Sequence, residues 1–331
     1  MSAPEKSAPT EDAGASSAAP VKLGFLVGPT GAGKSAIALA IAERLDAEIV
    51  NADSRQLYRG MDIGTAKPSA EERRRIPHHL IDVCGPDEPI DVASFVSMAR
   101  AAIRDIARRG RRPLVVGGSG LYLRVLRGGI FSGPSASPEI RRELEDVARE
   151  RGASFLHDQL GAIDPVSAAR IQRNDLYRIV RALEVYRLTG VPISVHQERH
   201  RFSAREFDSL TVGVDVPRAM LYAAIDRRFD AMVAAGFAGE VRALLAAGYN
   251  PERPPLSTIG YKEIAAFVRG ETTLEAAVEQ AKRETRHLAK RQLTWFRREP
   301  GIVWVDADRA AEQALLLFEE FFSSPHRAVQ G

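Results

Sequence analysis

The chain has 331 residues, of which 45% are hydrophobic and 27% are charged, and its formal net charge is +3. This composition is typical of a globular protein with a sizeable core, and the charge is too small to identify a partner. The single cysteine, Cys84, excludes an internal disulfide and a cysteine-based zinc site. No apolar run approaches the roughly 18 residues of a membrane span, so we expect a soluble, cytoplasmic protein without a membrane partner.

The first twenty residues are rich in alanine, serine and proline. They contain no apolar stretch of the length found in a secretory signal peptide. Such a segment cannot bury enough surface to offset the entropy lost on ordering. We therefore predict a disordered tail over residues 1–20.

Strand and helix patterns alternate after this tail. Residues 21–27, "VKLGFLV", are typical of a buried strand, and they are followed by "GPTGAGKS" and by a helical pattern with an apolar side chain every fourth residue. Further strands are predicted in "AEIVNAD", in "RRPLVVGGSG", over residues 209–216 and in "GIVWVDA". The alternation predicts an α/β fold with a parallel sheet and helices on both faces.

The pattern changes near Arg127, where a turn-rich stretch leads into helical segments that reach about His200. No convincing strand occurs between these two positions. We predict a mostly helical insertion domain over residues 127–200, within a core domain formed by residues 21–126 and 201–325.

The stretch "GPTGAGKS" matches the phosphate-binding pattern G-x-x-x-x-G-K-[ST], with a predicted strand before it and a helix after it. This context indicates a P-loop, and the predicted fold is therefore P-loop NTPase-like. The glycines let backbone N–H groups point inward, and the helix N-terminus adds partial positive charge. The lysine supplies a cation for an outer phosphate, and the serine hydroxyl is a candidate Mg²⁺ ligand. The predicted phosphate-binding residues are Gly28, Pro29, Thr30, Gly31, Ala32, Gly33, Lys34 and Ser35.

Loops of this kind commonly hold a nucleoside triphosphate, whose Mg²⁺ is also bound by an acid at the end of a later strand. Here the strand "PLVV" is followed by Gly117, Gly118 and Ser119 instead. Asp82 is either an alternative metal ligand or an acid in a turn. Asp53 ends the strand after the P-loop helix, so it should face the same crevice as the P-loop, where it can accept a proton from a nucleophile.

The segments "GPTGAGKS", "NADSRQLYRGMDIGTAKP", "VGGSGLYL", "RALEVYRLTG" and "TRHLAKRQLTWFRR" occur in this order. Together they resemble the tRNA dimethylallyltransferase family, the IPP transferases, from about Leu23 to Val305. The resemblance implies transfer of a dimethylallyl group from dimethylallyl diphosphate to the exocyclic amine of the adenine on the 3′ side of the tRNA anticodon. It also implies that the P-loop holds the diphosphate leaving group rather than the tail of ATP.

The resemblance assigns roles to single residues. It implies that Asp53 is the general base, that Arg228 and the Thr30 hydroxyl assist the diphosphate, and that Mg²⁺ is the cofactor. Ser119 stands where many members have threonine, and either hydroxyl can bond the acceptor amine. Ala224 stands where relatives often have arginine, so the contribution of that arginine is absent or replaced here.

The implied partner is the anticodon stem-loop of a tRNA, and a monomer is the simplest expectation for the oligomeric state. Basic side chains recur three or four positions apart over residues 283–291 and form a stripe on a helix that is suited to phosphates, and the resemblance favours RNA as the ligand of this stripe. A solvated helix face is the alternative. The residues that the resemblance assigns to tRNA are Asp53, Ser54, Arg55, Gln56, Ser119, Arg141, Tyr177, Arg178, Ile179, Val180, Arg181, Ser257, Thr258, Ile259, Gly260, Tyr261, Lys262, Thr285, Arg286, His287, Leu288, Ala289, Lys290, Arg291 and Gln292.

Three other functions stay open at this point. A P-loop small-molecule kinase shares the loop and the sheet, and an adenylate isopentenyltransferase shares the loop and the aspartate. A non-catalytic RNA-binding module would need neither Lys34 nor Asp53. The helical insertion and the basic segment favour a macromolecular acceptor over a free nucleotide.

Overall fold

The computed structural model describes residues 20–88, 90–128, 134, 136–200 and 206–325. Residues 1–19 of the predicted tail lie outside the described residues. The described ranges contain every strand that the sequence predicts and the whole P-loop.

A six-stranded sheet lies at the centre of the described residues. Its strands are β1 (Val21–Val27), β2 (Ala47–Asn51), β3 (His78–His79), β4 (Arg112–Gly117), β5 (Phe207–Asp215) and β6 (Ile302–Asp306). Their spatial order is β3-β2-β4-β1-β5-β6, and every pairing is parallel. The sequence does not predict β3, because a strand of two residues is too short to carry an apolar pattern.

Helices cover both faces of the sheet and form most of the segment between β4 and β5. Their bounds are α1 (Lys34–Leu45), α2 (Ala70–Arg75), α3 (Val92–Arg108), α4 (Gly120–Gly128), α5 (Pro138–Arg151), α6 (Ala153–Ile163), α7 (Pro165–Ala168), α8 (Leu176–Thr189), α9 (Ile193–His200), α10 (Arg218–Ala234), α11 (Phe237–Ala246), α12 (Tyr261–Val268), α13 (Leu274–Arg298) and α14 (Ala310–Ser323). Over the described ranges, none of them combines the length and the apolarity needed to cross a membrane.

The side chains of β1 show that the sheet is buried on both faces. Phe25 and Val27 belong to a hydrophobic cluster with α3, α4 and α10 to α13. Leu26 belongs to a second cluster, with α1 and α14. Successive side chains of a strand point to opposite faces, so this alternation requires a layer of helices on each side. The predicted α/β fold with helices on both faces is confirmed.

Helices α5 to α8 pack around a hydrophobic cluster of their own. Leu144, Leu156, Leu160 and Ile179 are fully buried in it, and Leu156 and Leu160 lie one helical turn apart. The described part of residues 127–200 is helical and contains no strand. The limits of this segment as an insertion domain remain a prediction.

Glu48 is a buried carboxylate that joins three elements at the edge of the sheet. Its side chain, on β2, is 1% exposed. Nη1 and Nη2 of Arg109, next to the end of α3, both donate to it, the latter at 2.7 Å, and Nε2 of His79 on β3 lies 2.7 Å away. The hydrogen bonds from Arg109 hold the pKa of Glu48 down at about 2. The paired partners offset the cost of burying this charge.

We predict that Glu48→Gln lowers the free energy of unfolding at pH 7 by about 1–3 kcal/mol, because hydrogen bonds to a charged group are lost beneath the sheet edge. The folded pKa lies below the unfolded value of 4.5, so this contribution is fully present above pH 4.5 and is lost as the pH falls towards 2. Urea denaturation between pH 7 and pH 3 should therefore show the difference from wild type shrinking as the pH falls.

Glu43→Gln is the matched control. Glu43 pairs with Arg75, but both side chains are more than 40% exposed. Exposed ion pairs contribute at most about 1 kcal/mol. Equal losses in the two variants would contradict a special role for the buried carboxylate.

Candidate active site

Three loops meet at the carboxyl ends of neighbouring strands. The P-loop (residues 28–35) follows β1, Ser119 follows β4, and Asp53 follows β2. Because β4 lies between β1 and β2, the three loops lie side by side at the carboxyl end of the sheet. A Cβ atom at Gly117 would lie 2.4 Å from the carbonyl oxygen of Ala52, so glycine permits the close approach of the last two loops. The structure thus brings the P-loop, Ser119 and Asp53 into one crevice.

The P-loop leads into the N-terminus of α1. Gly31 has a φ of +87°, and a Cβ atom there would lie 2.8 Å from Cγ1 of Ile225, so this position requires glycine. Gly33 precedes the helix with a φ of +76°, and no side chain caps the helix at this residue. The helix therefore presents the N–H groups of Lys34 and Ser35 to the crevice, and this is an anion-binding arrangement.

Two cations and one carboxylate lie close together beside the P-loop. Nζ of Lys34 donates to the carbonyl of Pro29 at 2.8 Å. Burial, and then the neighbouring Arg228 guanidinium, lower the pKa of Lys34 to about 8, and the Asp53 carboxylate opposes this shift. Burial also lowers the pKa of Arg228, again opposed by Asp53. This group of side chains carries more positive than negative charge, so it favours an anion.

Thr30 is held by two helices. Nη2 of Arg228, on α10, donates to the Thr30 hydroxyl oxygen at 2.6 Å. The Thr30 N–H donates to Oε1 of Gln292, on α13, at 2.8 Å. Because Arg228 occupies a lone pair of the hydroxyl, Thr30 keeps its own hydroxyl proton for another acceptor. Its N–H is bonded to Gln292 and not to the predicted phosphate position.

Asn51 fixes the backbone around Asp53, and it is not among the sequence-predicted residues. Its side chain accepts from the N–H of Asp53 at 3.0 Å and donates to the carbonyls of Asp53 and Leu80 at 3.2 and 2.9 Å. Oδ1 of Asp53 also accepts from the N–H of Arg55 at 2.9 Å. Asn51 is 4% exposed. A buried asparagine at the end of an apolar strand needs such partners, and its place directly before "AD" is the signal that could have revealed it.

Gln56 is oriented by a loop that Glu240 holds. Nε2 of Gln56 donates to the carbonyls of Thr65 and Ala66 at 3.1 and 3.2 Å. The N–H groups of residues 62–64 in the same loop donate to the Glu240 carboxylate, on α11, at 3.0, 2.6 and 3.2 Å. Both protons of the Gln56 amide are used, so Oε1 is the group that it can offer to a ligand. No local sequence pattern marks Glu240 for this role.

The predicted basic stripe lies on α13. Its exposed members are Arg283, His287, Lys290 and Arg291. Arg286 is half-buried and donates to Asp226 of α10 at 2.6 Å, so it ties the two helices together. Leu288 is half-buried, in line with a helix that packs on one face and is solvated on the other. The exposed members form a surface suited to a polyanion.

The predicted RNA-binding arginines and tyrosine of α5 and α8 fall into two groups. Tyr177 and Arg178 are exposed, at 75% and 70%. Arg141 and Arg181 both donate to Glu184, which is fully buried, at 2.9 and 2.6 Å. These two arginines therefore compensate a buried carboxylate, and they have a structural role whether or not they contact RNA.

Some predicted tRNA-binding residues lie inside the protein. The side chains of Ile179, Val180, Tyr261, Thr285 and Ala289 are no more than 8% exposed. Each belongs to a helix whose inner face packs in a hydrophobic cluster, so these side chains face the core, and the assignment of their segments to the RNA path stays a prediction.

The segment before α12 shows the same mixture of environments. Tyr261 donates its hydroxyl to Glu240 at 2.5 Å, and Gly260 beside it is also buried. Lys262 is exposed, so it can reach a ligand at the surface. The half-buried predicted residues in this segment are Ser257, Thr258 and Ile259, and those after β2 are Asp53, Ser54, Arg55 and Gln56.

Asp82 lies in a separate ion-pair group. Its carboxylate accepts from Nζ of Lys67 at 2.6 Å and from Nη1 of Arg73 at 2.8 Å. Its φ is +58°, a turn conformation that aspartate tolerates better than most residues. Of the two interpretations that the sequence left open, the turn acid describes this residue.

Two family models match the chain. The model described as IPP transferase matches residues 56–299, and the model described as isopentenyl transferase matches residues 21–85. A tRNA dimethylallyltransferase of Geobacter metallireducens is 52% identical over 86% of this chain and 92% of that protein. The tRNA dimethylallyltransferase of Geobacter sulfurreducens is 48% identical over 91% of this chain and 97% of that protein.

Solved structures are also similar to this fold. A tRNA isopentenylpyrophosphate transferase of Bacillus halodurans is 38% identical, with a TM-score of 0.67, over 91% of this chain and 96% of that one. A eukaryotic dimethylallyltransferase solved acting on tRNA is 29% identical, with a TM-score of 0.80, over 94% of this chain and 82% of that one. Because a family model covers well over half of its length and relatives match it at about 50% identity, the chain belongs to the IPP transferase family.

Proposed function

We propose that this protein transfers the dimethylallyl group of dimethylallyl diphosphate to the exocyclic amine of the adenine on the 3′ side of a tRNA anticodon. The observation that carries the proposal is a carboxylate beside the anion-binding P-loop. The Asp53 carboxylate lies close enough to Lys34 and Arg228 to raise the pKa of both, against the effect of burial. The tRNA dimethylallyltransferases among its relatives support the same reaction for this chain.

The donor binds through its two phosphates at the P-loop. The N–H groups at the start of α1, the charges of Lys34 and Arg228, and the free hydroxyl proton of Thr30 all favour negative charge there. When the allylic C–O bond breaks, the diphosphate takes the electron pair and positive charge spreads over the allyl group. Preorganised donors aimed at the leaving oxygens are typically worth about 3–4 kcal/mol each.

The acceptor is activated from the other side of the crevice. N6 of adenine forms the new bond to the allylic carbon that carried the diphosphate, and one N6 proton passes to the Asp53 carboxylate. This transfer matters because the N6 lone pair is delocalised into the ring and is a weak nucleophile. Asn51 holds the Asp53 backbone in place, and the Ser119 hydroxyl oxygen can accept a hydrogen bond from the N6–H that remains.

Magnesium fits this site as a companion of the diphosphate. Mg²⁺ usually takes one or two protein ligands and completes its shell with phosphate oxygens and water. The exposed Ser35 hydroxyl at the start of α1 suits such a partial protein shell, and the described residues contain no group of three or more acidic, histidine or cysteine side chains that would form a full cage. When bound, the ion would offset the charge that develops on the departing diphosphate.

The tRNA lies across the exposed surfaces of α13 and of the helices between β4 and β5. The target adenine has to leave its stack to reach Asp53, at a cost of a few kcal/mol. The basic stripe of α13 can offset part of this free-energy cost through phosphate contacts, and the exposed Tyr177 ring can do so through stacking. We expect the protein to act as a monomer in the cytoplasm.

Two alternatives use the same P-loop. A small-molecule kinase would need a nucleoside triphosphate, and an adenylate isopentenyltransferase would use free AMP as the acceptor. The exposed basic side chains of α13 favour the tRNA acceptor over both.

The proposal is tested by incubating the purified protein with isotopically labelled dimethylallyl diphosphate, Mg²⁺ and unmodified tRNA, with AMP as a competing acceptor and with or without ATP. We expect label on the adenine next to the anticodon without any added triphosphate. Asp53→Asn keeps the size of the side chain and an oxygen for the Arg55 N–H, but it removes the proton acceptor. We expect turnover to fall by about 10²–10⁴-fold with tRNA affinity within a few fold.

Asp46→Asn is the control for this experiment. Asp46 follows the C-terminus of α1 and directly precedes β2, so it lies at the amino end of the sheet, away from the crevice. It is 77% exposed. Its φ of +48° is one that asparagine accepts. Label in AMP rather than tRNA, transfer that needs ATP, or equal turnover in both aspartate variants would each argue against the proposed reaction.

The lowered pKa of Lys34 predicts a pH dependence of donor binding. Lys34 has a pKa of about 8 in the free protein, so it is charged below this pH and neutral above it. After correction for the protons that inorganic diphosphate itself exchanges over this range, its affinity should be constant below pH 8 and should fall by up to about tenfold per pH unit above it. Titration calorimetry between pH 6.5 and pH 9.5 measures this bend. Lys34→Arg should remove it, since a guanidinium stays charged over the range; a bend that persists in this variant assigns the effect to another group.

The stripe on α13 predicts the salt dependence of tRNA binding. Arg291→Ala should weaken binding and reduce the slope of log K against log salt by about 0.7–0.9, the share of one phosphate contact. Arg44→Ala, an exposed change at the end of α1, should leave the slope unaltered. Filter binding at several salt concentrations measures both slopes, and identical slopes would exclude Arg291 from the RNA interface.

A further inference from the structure

Gln292 connects the P-loop to the loop that carries Ser119. Its Oε1 accepts the N–H of Thr30 at 2.8 Å, and its Nε2 donates to the carbonyl of Gly118 at 2.9 Å. The side chain is half-buried. Ala289 and Phe296, one turn to either side on α13, are fully buried and anchor this part of the helix in the core.

The two loops are already in close contact, and the amide fills the space between them. A Cβ atom at Gly118 would lie 2.7 Å from Nε2 of Gln292 and 3.4 Å from the carbonyl oxygen of Gly28. An amide bonded at both ends fixes the separation of its two partners. The partners here are the loop that takes the leaving group and the loop that faces the acceptor.

We propose that Gln292 is a positioning residue that sets the spacing between the diphosphate of the donor and the amine of the acceptor. This inference rests on the proposed function, in which the P-loop binds the donor and Ser119 faces the adenine. Transfer between two bound substrates depends steeply on their alignment, and a misplacement of about 1 Å can lower the rate about 10²-fold.

This role replaces the contact with tRNA that the sequence predicts for Gln292. The neighbouring side chains of Lys290 and Arg291 are exposed, whereas both polar atoms of Gln292 are bonded to protein backbone. A contact with RNA would break two hydrogen bonds inside the crevice. The two interpretations therefore predict different kinetic effects of the same substitution.

Gln292→Met keeps the length of the side chain and removes both hydrogen bonds. We expect the single-turnover rate at saturating substrates to fall about 10–100-fold. The dissociation constants of tRNA and of inorganic diphosphate should stay within about threefold of wild type, because neither ligand loses a direct contact. Gly118→Ala should act in the same direction, since its methyl group would displace the amide.

Gln280→Met is the matched control, because it makes the same substitution on the same helix. Gln280 bonds to Glu284 and Arg283 within α13, far along the helix from the P-loop contact. We expect unaltered transfer in this variant. A rise in the dissociation constant of tRNA for Gln292→Met, with a normal rate at saturation, would overturn the proposal in favour of the RNA contact; so would a rate loss that Gln280→Met shares.

A second readout does not depend on transfer. Trp295 packs on Gly120 directly after the Ser119 loop: a Cβ atom at Gly120 would lie 2.4 Å from the indole ring. The chain has 2 tryptophans, so Trp304→Phe leaves Trp295 as the single indole. Inorganic diphosphate should change the Trp295 emission in this background, and Gln292→Met should remove most of the change at saturating diphosphate.

The two readouts separate failure of the inference from failure of the proposed function. If the wild type transfers no dimethylallyl group but the emission change depends on Gln292, the coupling of the two loops stands and the reaction is wrong. If transfer occurs and neither the rate nor the emission depends on Gln292, the reaction stands and the positioning role is wrong.

Discussion

The accumulation of positive charge beside the P-loop is the constraint on which the rest of the site depends. Burial lowers the pKa of both Lys34 and Arg228, and the Arg228 guanidinium lowers that of Lys34 further. The fold keeps them together by giving each a partner: the Pro29 carbonyl for Lys34, the Thr30 hydroxyl for Arg228, and the Asp53 carboxylate near both. A bound anion would relieve the repulsion, which is why this arrangement favours a negatively charged ligand over a neutral one.

Three polar side chains hold the loops of the crevice in place. Asn51 fixes the backbone of Asp53, Glu240 fixes the loop that orients Gln56, and Gln292 joins the P-loop to Gly118. Each is an amide or a carboxylate bonded to at least two backbone groups. Backbone-bonded side chains of this kind position loops without adding charge to the reaction centre, apart from Glu240, whose carboxylate is taken up by three N–H groups and Tyr261.

The parts of this site that the sequence predicts are those encoded locally. The P-loop, Asp53 and the strand that precedes each can be read from contiguous residues, because apolar runs and glycine spacing directly reflect backbone geometry. The two hydrogen bonds of Gln292 join residues that are 262 and 174 positions apart in the sequence, and those of Glu240 join residues about 177 positions apart. No local sequence pattern therefore reveals them. Burial of Ile179 or Ala289 is likewise set by which helix face meets a neighbour, and a contiguous motif cannot distinguish the two faces of its own helix.

The distribution of charge separates the reaction from RNA affinity. Arg141 and Arg181 compensate the buried Glu184, and Arg286 is paired with Asp226, so these arginines stabilise the scaffold. The exposed basic residues of α13 do not share a structural role of this kind, and salt screens their attraction for RNA. The crevice is half-buried and its interactions are screened much less. We therefore expect changes at the surface of α13 to alter RNA binding without disturbing the P-loop and the Ser119 loop, because Gln292 joins these two loops from a less exposed face of the same helix.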